Sequence, residues 1–254
     1  MSSLKSKLRS GKAIYGSWLT LAHPGISEIM ASAGFDFLVV DMEHSAIDLS
    51  QAQMLVQSIQ AQGVAALIRV GDQDPNRIKR AMDTGVDGVI VPMIKNRAEA
   101  EAAVAAVHYP PHGTRGVGLA RAQKYGFGFE GYKRWLRKEG VVIGIIEHHE
   151  AIENLEDILG VDGLDGTMIG PYDLSGSLGF PGEFDRPVVR KLIDRYESVC
   201  RRMKKPMGFH VVHPDTKRVL DYQKRGYKFL AVGLDSLYLG LKSRETMKQI
   251  RRGR

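Results

Sequence analysis

Short apolar runs and longer amphipathic stretches alternate along this chain. The apolar runs are five to seven residues long, rich in Val, Ile, Leu and Phe, and mostly without strict alternation of apolar and polar positions. Such runs are typical of parallel strands that are buried on both faces. Eight of them occur, at residues 13–19, 35–41, 65–70, 88–93, 141–147, 166–170, 207–212 and 228–233.

Helical patterns fill the intervals between these runs. Residues 75–85, for example, begin with proline and end with glycine, as helices commonly do. The other helical stretches are residues 26–34, 49–63, 97–107, 151–160, 187–204, 215–226 and 235 to the C-terminus. Strand and helix alternating eight times over 254 residues predict an α/β fold, a single (β/α)8 TIM barrel spanning residues 1–254. An open doubly wound sheet is the alternative.

One longer segment, residues 108–138, interrupts the alternation after the fourth strand–helix unit. Long connections in compact domains are commonly functional, and the loops of a barrel that follow its strands build the active site. We therefore expect residues 118–138 to help select a ligand.

Polar side chains stand at the ends of four predicted strands. The carboxyl ends of barrel strands surround one mouth, so these side chains should converge there. They belong to residues 41–44, 69, 147–149 and 170–173.

The carboxylates of Glu147 and Asp173 are candidate metal ligands. Glu147 shares a strand face with Ile143 and Ile145, and a carboxylate that ends an apolar row requires a cation. Two carboxylates suit Mg²⁺ or Mn²⁺, which keep several waters or take substrate oxygens. The alternative is that Asp173 caps a helix while Glu147 pairs with a basic neighbour.

Arg69 and His44 each have two interpretations. The guanidinium of Arg69 could bind a substrate carboxylate through two parallel hydrogen bonds, or form an ion pair with Glu147 or Asp41. Because histidine titrates near neutral pH, His44 could carry a proton, or it could be a polar surface group.

Charge and composition argue against a nucleic-acid-binding protein, a disulfide- or zinc-stabilised protein and a membrane protein. The net charge of +7 could attract nucleic acid or acidic metabolites, but no aromatic residues interleave with the basic ones. We expect a solvated basic surface and no nucleic-acid partner. One cysteine excludes a disulfide framework or a cysteine-rich zinc site. Without an apolar run of about 18 residues or a signal-peptide core, we expect a cytoplasmic protein with no membrane partner.

Several segments together resemble the HpcH/HpaI aldolases. They are FLVVDMEHSAIDL, the stretch from IRV to GVIVPM, YPPHGTRGVGLARA, and IGIIEHHEAIENLEDILGVDGLDGTMIGPYDLSGSLG. The resemblance covers roughly residues 10–235. It implies a class II, metal-dependent 2-oxo acid aldolase, similar to 4-hydroxy-2-oxoheptanedioate aldolase. It also implies a barrel of the phosphoenolpyruvate/pyruvate type, and a homotrimer or homohexamer in which the last helix packs on a neighbouring subunit.

The resemblance assigns binding roles to two groups of residues. Glu147 and Asp173 match the family's metal ligands, with Mg²⁺ expected and Mn²⁺ or Co²⁺ as alternatives. Gly170, Pro171 and Tyr172 match the loop whose backbone amides bind the substrate carboxylate.

Three catalytic roles follow from the same resemblance. Arg69 matches the arginine that holds the substrate carbonyl and stabilises an enolate. His44 matches the active-site base, and Asp83 matches the acid that pairs with this histidine across the site. The implied reaction cleaves or forms the C3–C4 bond of a 4-hydroxy-2-oxo acid, giving pyruvate and an aldehyde through a metal-bound enolate.

The sequence departs from the family pattern at Ile145. The family often has glutamine two residues before its metal-binding glutamate, but here Ile145 and Ile146 precede Glu147. The change removes a hydrogen-bonding group and makes the pocket drier. It raises the alternative of an oxaloacetate decarboxylase, or of a synthase that couples decarboxylation to carbon–carbon bond formation, on the same metal–enolate site.

Overall fold

Eight parallel strands close into a barrel in a computed structural model that describes residues 3–252. Each strand pairs with the next, and β8 pairs with β1, so the barrel prediction is confirmed and the open sheet is excluded. The strands are β1 (Ile14–Leu19), β2 (Phe37–Asp41), β3 (Ala65–Arg69), β4 (Gly88–Val91), β5 (Val141–Ile146), β6 (Gly166–Ile169), β7 (Met207–Val211) and β8 (Phe229–Leu234).

Helices surround the barrel and connect its strands. In the described part of the chain twelve are α-helical: α1 (Leu4–Arg9), α2 (Pro24–Ala31), α3 (Leu49–Ala61), α4 (Pro75–Asp83), α5 (Arg97–Val107), α6 (Phe129–Glu139), α7 (His149–Glu153), α8 (Leu155–Leu159), α9 (Pro171–Gly176), α10 (Pro187–Met203), α11 (Thr216–Lys224) and α12 (Asp235–Arg252). A 3₁₀ segment covers Arg121–Gly126. Within residues 3–252, no helix is both long and apolar enough to cross a bilayer.

Buried aliphatic and aromatic side chains fill the interior of the barrel. The rings of Phe37 and Phe229 stack with centroids 4.3 Å apart. Gly16 makes room for this pair, because a Cβ atom there would lie 2.3 Å from the Phe37 ring. The apolar interior excludes water from all but the ends of the strands.

Helix α1 covers the amino ends of the strands. Its side chains Leu4 and Leu8 are buried among the residues of the barrel interior. Lys5 Nζ donates a 2.7 Å hydrogen bond to the carbonyl of Gly140, just before β5. The carboxyl ends of the strands therefore form the open mouth.

The segment at residues 108–138 lies at the amino ends of the strands, not at the mouth. It follows α5, which returns the chain from the carboxyl end of β4 to the amino end of β5. Part of it is helix α6, and Arg115 is buried beside Tyr109 and Tyr132, with Nη1 2.9 Å from Tyr132 Oη. The expectation that residues 118–138 select a ligand is therefore wrong within a single chain.

Candidate active site

The residues predicted to converge do meet at the carboxyl ends of the strands. Asp41 ends β2 and Arg69 ends β3, and the two are partners in the register of these neighbouring strands. Glu147 follows β5 and Gly170 follows β6, whose strands are also paired. Parallel pairing thus gathers distant parts of the sequence at one mouth.

Arg69 is held by two carboxylates. Its Nε and Nη2 donate to Asp41 Oδ1 and Oδ2 at 2.9 and 2.6 Å, and its Nη1 lies 3.0 Å from Glu43 Oε2. The ion pair with Asp41 expected as one interpretation is therefore present. A guanidinium has five N–H donors, so Nη1 retains capacity to bind a ligand oxygen.

Aromatic rings support the guanidinium from below. Arg69 Cζ lies 4.4 Å from the centroid of the Trp18 ring, a cation–π contact. Trp18 in turn stacks on His210 of β7, with centroids 5.1 Å apart. Burial lowers the pKa of His210 to about 4, so this ring is neutral and adds no repulsion toward Arg69.

The electrostatic balance at Asp41 favours its charged form. Burial alone would raise the pKa of its carboxyl, but the hydrogen bonds and charge of Arg69 and the backbone amides of Glu43 and His44 outweigh burial. The pKa of Asp41 consequently lies below its usual value, and this carboxylate neutralises Arg69.

At Glu147 the electrostatic balance instead favours the neutral form of the carboxyl. Its side chain is buried, and its pKa is raised to about 7 by burial and by the negative charges of Glu43 and Asp173. The backbone amide of Met93 donates a 2.6 Å hydrogen bond to Glu147 Oε1. Met93 has φ +56°, an unfavourable conformation for a residue with a Cβ atom, and this conformation accompanies the amide's hydrogen bond to the carboxylate.

Gly170 is required beside Glu147 because space there is limited. A Cβ atom at position 170 would lie 2.9 Å from both Cβ and Oε2 of Glu147. The amide of Gly170 donates to the carbonyl of Ile146 at 3.0 Å, and Pro171 has no amide hydrogen. Of the amides at the start of α9, those of Tyr172 and Asp173 are left to bind an anion.

The carboxylates of Glu43, Glu147 and Asp173 suit a hard divalent cation. Glu43 Oε2 is buried and lies 3.0 Å from Arg69 Nη1 without a well-aligned hydrogen bond, and burial raises the pKa of this carboxyl. Asp173 stands in the first turn of α9, close enough to raise the pKa values of both glutamates. A cation placed among these oxygens would remove the mutual repulsion.

Within residues 3–252, a different group is the tightest set of three ligand-type side chains. His148, His149 and Glu150 have ligand atoms within 4.8 Å of one another. His148 Nδ1 accepts from the amide of Glu150, and His149 Nδ1 lies 3.2 Å from Ser177 Oγ. These histidines fix the start of α7. A magnesium-type site needs only one or two carboxylates plus water and substrate.

His44 is at the mouth, and Asp83 is not. The imidazole of His44 is largely exposed, with Nε2 3.8 Å from Glu43 Oε2. Asp83 is the last residue of α4, which leads to the amino end of β4, and its Oδ1 lies 2.5 Å from Arg115 Nη2. The structure does not bring Asp83 to His44 within one chain.

Comparisons with known proteins identify the family of this chain. Residues 15–239 match the family described as HpcH/HpaI aldolase/citrate lyase. The chain belongs to this family. Membership makes the protein a carbon–carbon lyase.

Two relatives and one solved structure illustrate the similarity within the HpcH/HpaI family. A pyruvate aldolase of Rhizobium etli is 39% identical over 232 residues, covering 91% of this chain and 90% of that protein. A 4-hydroxy-2-oxo-heptane-1,7-dioate aldolase of Salmonella paratyphi C is 37% identical, over 93% and 90% of the two chains. A family protein of Burkholderia cenocepacia superposes with a TM-score of 0.92 at 29% identity, over 98% of each chain.

Proposed function

We propose that this HpcH/HpaI protein is a metal-dependent pyruvate aldolase. It would cleave, or form, the C3–C4 bond of a 4-hydroxy-2-oxo acid to give pyruvate and an aldehyde. The observation that carries this proposal is the buried carboxylate Glu147, whose pKa is raised to about 7 beside Glu43 and Asp173. A site that crowds negative charge around one buried carboxylate favours a cationic cofactor.

Glu147 and Asp173 would hold the metal ion, for which we expect Mg²⁺, with Mn²⁺ or Co²⁺ as alternatives. When bound, the ion supplies Lewis-acid polarisation of the 2-oxo group. Arg69 would donate through Nη1 to the same oxygen, on which negative charge develops as the bond breaks. The amides of Tyr172 and Asp173, on the loop with Gly170 and Pro171, would bind the carboxylate.

His44 would move the proton. Removal of the hydrogen from the C4 hydroxyl by this imidazole allows C3–C4 cleavage, the aldehyde leaves, and the remaining enolate is protonated at C3 to pyruvate. The partial exposure of His44 allows it to exchange its proton with solvent. Asp83 could assist His44 only from another copy of the chain, because in its own chain it lies at the opposite end of the barrel beside Arg115.

This requirement agrees with the expected homotrimer or homohexamer. Near Asp83, the segment after Arg115 exposes several large apolar side chains, which is characteristic of an association surface. They are Val117, Leu119, Tyr125 and Phe127. Helix α12 is also largely exposed, with Asp235 as its only buried residue among those described, and we propose that it packs on a neighbouring subunit.

Ile145 favours a second candidate function on the same site. Its side chain is buried in the barrel interior with Ile143 and Met168, one strand period before Glu147. The wall below the carboxylate is therefore apolar. An apolar wall offers no partner for a C4 hydroxyl, and oxaloacetate has none, because it loses carbon dioxide from C4. The wall would therefore suit a decarboxylase or a decarboxylative synthase.

One assay distinguishes the two candidates. Pyruvate release, coupled to lactate dehydrogenase, would be measured from 4-hydroxy-2-oxo acids and from oxaloacetate, with Mg²⁺, Mn²⁺, Co²⁺ or EDTA. Cleavage of the hydroxy-oxo acids that requires metal supports the aldolase, and turnover of oxaloacetate alone supports the alternative. Full activity in EDTA after metal removal would contradict the metal-dependent mechanism.

A further inference from the structure

A second concave site lies at the amino ends of the strands. It has a volume of about 880 Å³ and is bordered by the residues just before β6, β7 and β8, by α1, and by the end of α10. The candidate active site is at the carboxyl ends of the same barrel, about 20 Å away along a six-residue strand. The cavity is therefore separate from the catalytic mouth.

The charge of this cavity is strongly positive. Seven lysine and arginine side chains line it, against the two aspartates Asp162 and Asp165. Two of the seven are neutralised by carboxylates: Lys5 by Asp165 at 2.9 Å, and Arg201 by Glu197 at 2.5 Å. The excess positive charge comes from the other five.

Four of these five cations have no hydrogen-bonded or ion-paired partner within residues 3–252. They come from separate parts of the chain, so they face the cavity from several sides: Arg9 in α1, Arg137 in α6, Lys204 after α10 and Lys228 before β8. The fifth, Lys205, donates to a backbone carbonyl, that of Leu164, at 3.1 Å. Cations arranged around a concavity concentrate the field there more than cations spread over a flat surface do.

The floor of the cavity is apolar and partly desolvated. Leu8, Leu164 and Met207 are buried side chains that line it. Beside them, the pKa of His108 is lowered to about 4, first by burial and then by the charges of Lys5, His112 and Arg115. A neutral imidazole at this position agrees with a positive local potential.

We propose that this cavity binds a small phosphate-bearing organic polyanion with an apolar or aromatic body, such as a nucleoside polyphosphate. Four separate cations exceed what one carboxylate can satisfy, whereas a chain of phosphates carries several charges and many acceptor oxygens. Lysine binds such oxygens as a point charge. The apolar floor would contact the body of the ligand, and the concave shape of the cavity favours a small molecule over a nucleic-acid helix.

Isothermal titration calorimetry tests this proposal on the full chain in its native assembly. The probes are ATP, inorganic tripolyphosphate and citrate, at about 0.15 M salt, where weak surface attraction is screened. EDTA is present so that divalent metal at the catalytic mouth cannot recruit the probes. We expect one saturable site per chain, with ATP binding more tightly than tripolyphosphate and tripolyphosphate more tightly than citrate.

Paired variants locate the site. Arg9→Gln with Lys204→Gln should weaken ATP binding about tenfold or more for each charge-assisted hydrogen bond that the substitution removes, because both cations line the cavity. The matched control, Lys191→Gln with Lys217→Gln, removes the same charge at exposed positions near the amino ends of α10 and α11. The control should bind ATP as the wild type does.

Three results would overturn the proposal. The first is no saturable binding of ATP or tripolyphosphate. The second is an equal decrease of affinity in both variant pairs, which would indicate attraction by net charge alone. The third is citrate binding as tightly as tripolyphosphate, which would exclude selectivity for phosphate. Unchanged thermal unfolding of the variants without probe would confirm that they fold.

Discussion

Replacing Glu147 with glutamine should stabilise the metal-free protein while abolishing its activity. The carboxyl of Glu147 has a pKa of about 7 in the folded protein, against 4.5 as its ordinary value. The folded state therefore binds this proton more tightly than the unfolded state does. As pH rises from about 4.5 to 7, the unfolded chain loses the proton first, so stability falls with pH and remains low above pH 7.

The size of this effect follows from the shift in pKa. Each unit corresponds to about 1.36 kcal/mol, so a change from 4.5 to about 7 costs the folded state about 3 kcal/mol at pH 8. Glu147→Gln keeps the shape and can still accept from the Met93 amide, but it has no charge to bury. For a barrel of this size we expect a rise in melting temperature of about 6–12 °C at pH 8 and little change at pH 4.5.

Thermal unfolding of EDTA-treated protein at pH 4.5 and pH 8, at one protein concentration, measures this difference. Glu153→Gln is the matched control, because Glu153 is an exposed carboxylate at the end of α7. This substitution should leave the melting temperatures at pH 4.5 and pH 8 unchanged. Adding Mg²⁺ should stabilise the wild type by about 2.7 kcal/mol at one hundred times its dissociation constant, and the glutamine variant much less. A glutamine variant that is no more stable than the wild type at pH 8 would refute the reasoning.

Four further predictions concern catalysis and are checked by the coupled pyruvate assay. Arg69→Lys should lower kcat about 10²–10³-fold, because it removes the two-pronged pairing with Asp41 and a donor to the enolate; an unchanged kcat would make Arg69 purely structural. His44→Ala should lower kcat about 10²–10⁴-fold, whereas a full-rate variant would show that His44 is a polar surface group that carries no proton in the reaction. Mixed oligomers of inactive His44→Ala and Asp83→Asn chains should regain activity if Asp83 acts across subunits, and mixtures that stay inactive would argue against it. Ile145→Gln should raise the preference for hydroxy-oxo acids over oxaloacetate, and an unchanged ratio would show that Ile145 does not set the reaction.

The sequence predicted the barrel well because its strands are buried on both faces. All eight apolar runs became strands within one or two residues of the predicted ends, and Arg69 and Glu147 were found from their positions at those ends. Helix α6 was missed in a glycine-rich stretch, although Phe129, Tyr132 and Leu136 repeat at helical spacing. The signal was present, but the surrounding glycines obscured it.

The parts of the site that could not be predicted depend on three-dimensional contacts. Trp18 resembles any apolar strand residue in the sequence, and only the closed barrel places its ring under Arg69. The positive φ of Met93 has no sequence signature, since such conformations usually belong to glycine. The position of Asp83 could be predicted, because the helix at residues 75–85 returns the chain to the amino end of the next strand and so carries Asp83 away from the mouth of its own chain.

The charges at the mouth explain why one carboxylate has so high a pKa. Arg69 already pairs with both Asp41 and Glu43, so among the described residues no cation remains to pair with Glu147 or Asp173. In the free protein a proton on Glu147 relieves the repulsion, and this proton is displaced when a divalent cation binds. Metal affinity should therefore fall as pH drops below about 7, where the proton and the cation compete for Glu147. The repulsion between these carboxylates thus lowers the stability of the metal-free barrel, and the same negative charges would attract the cation.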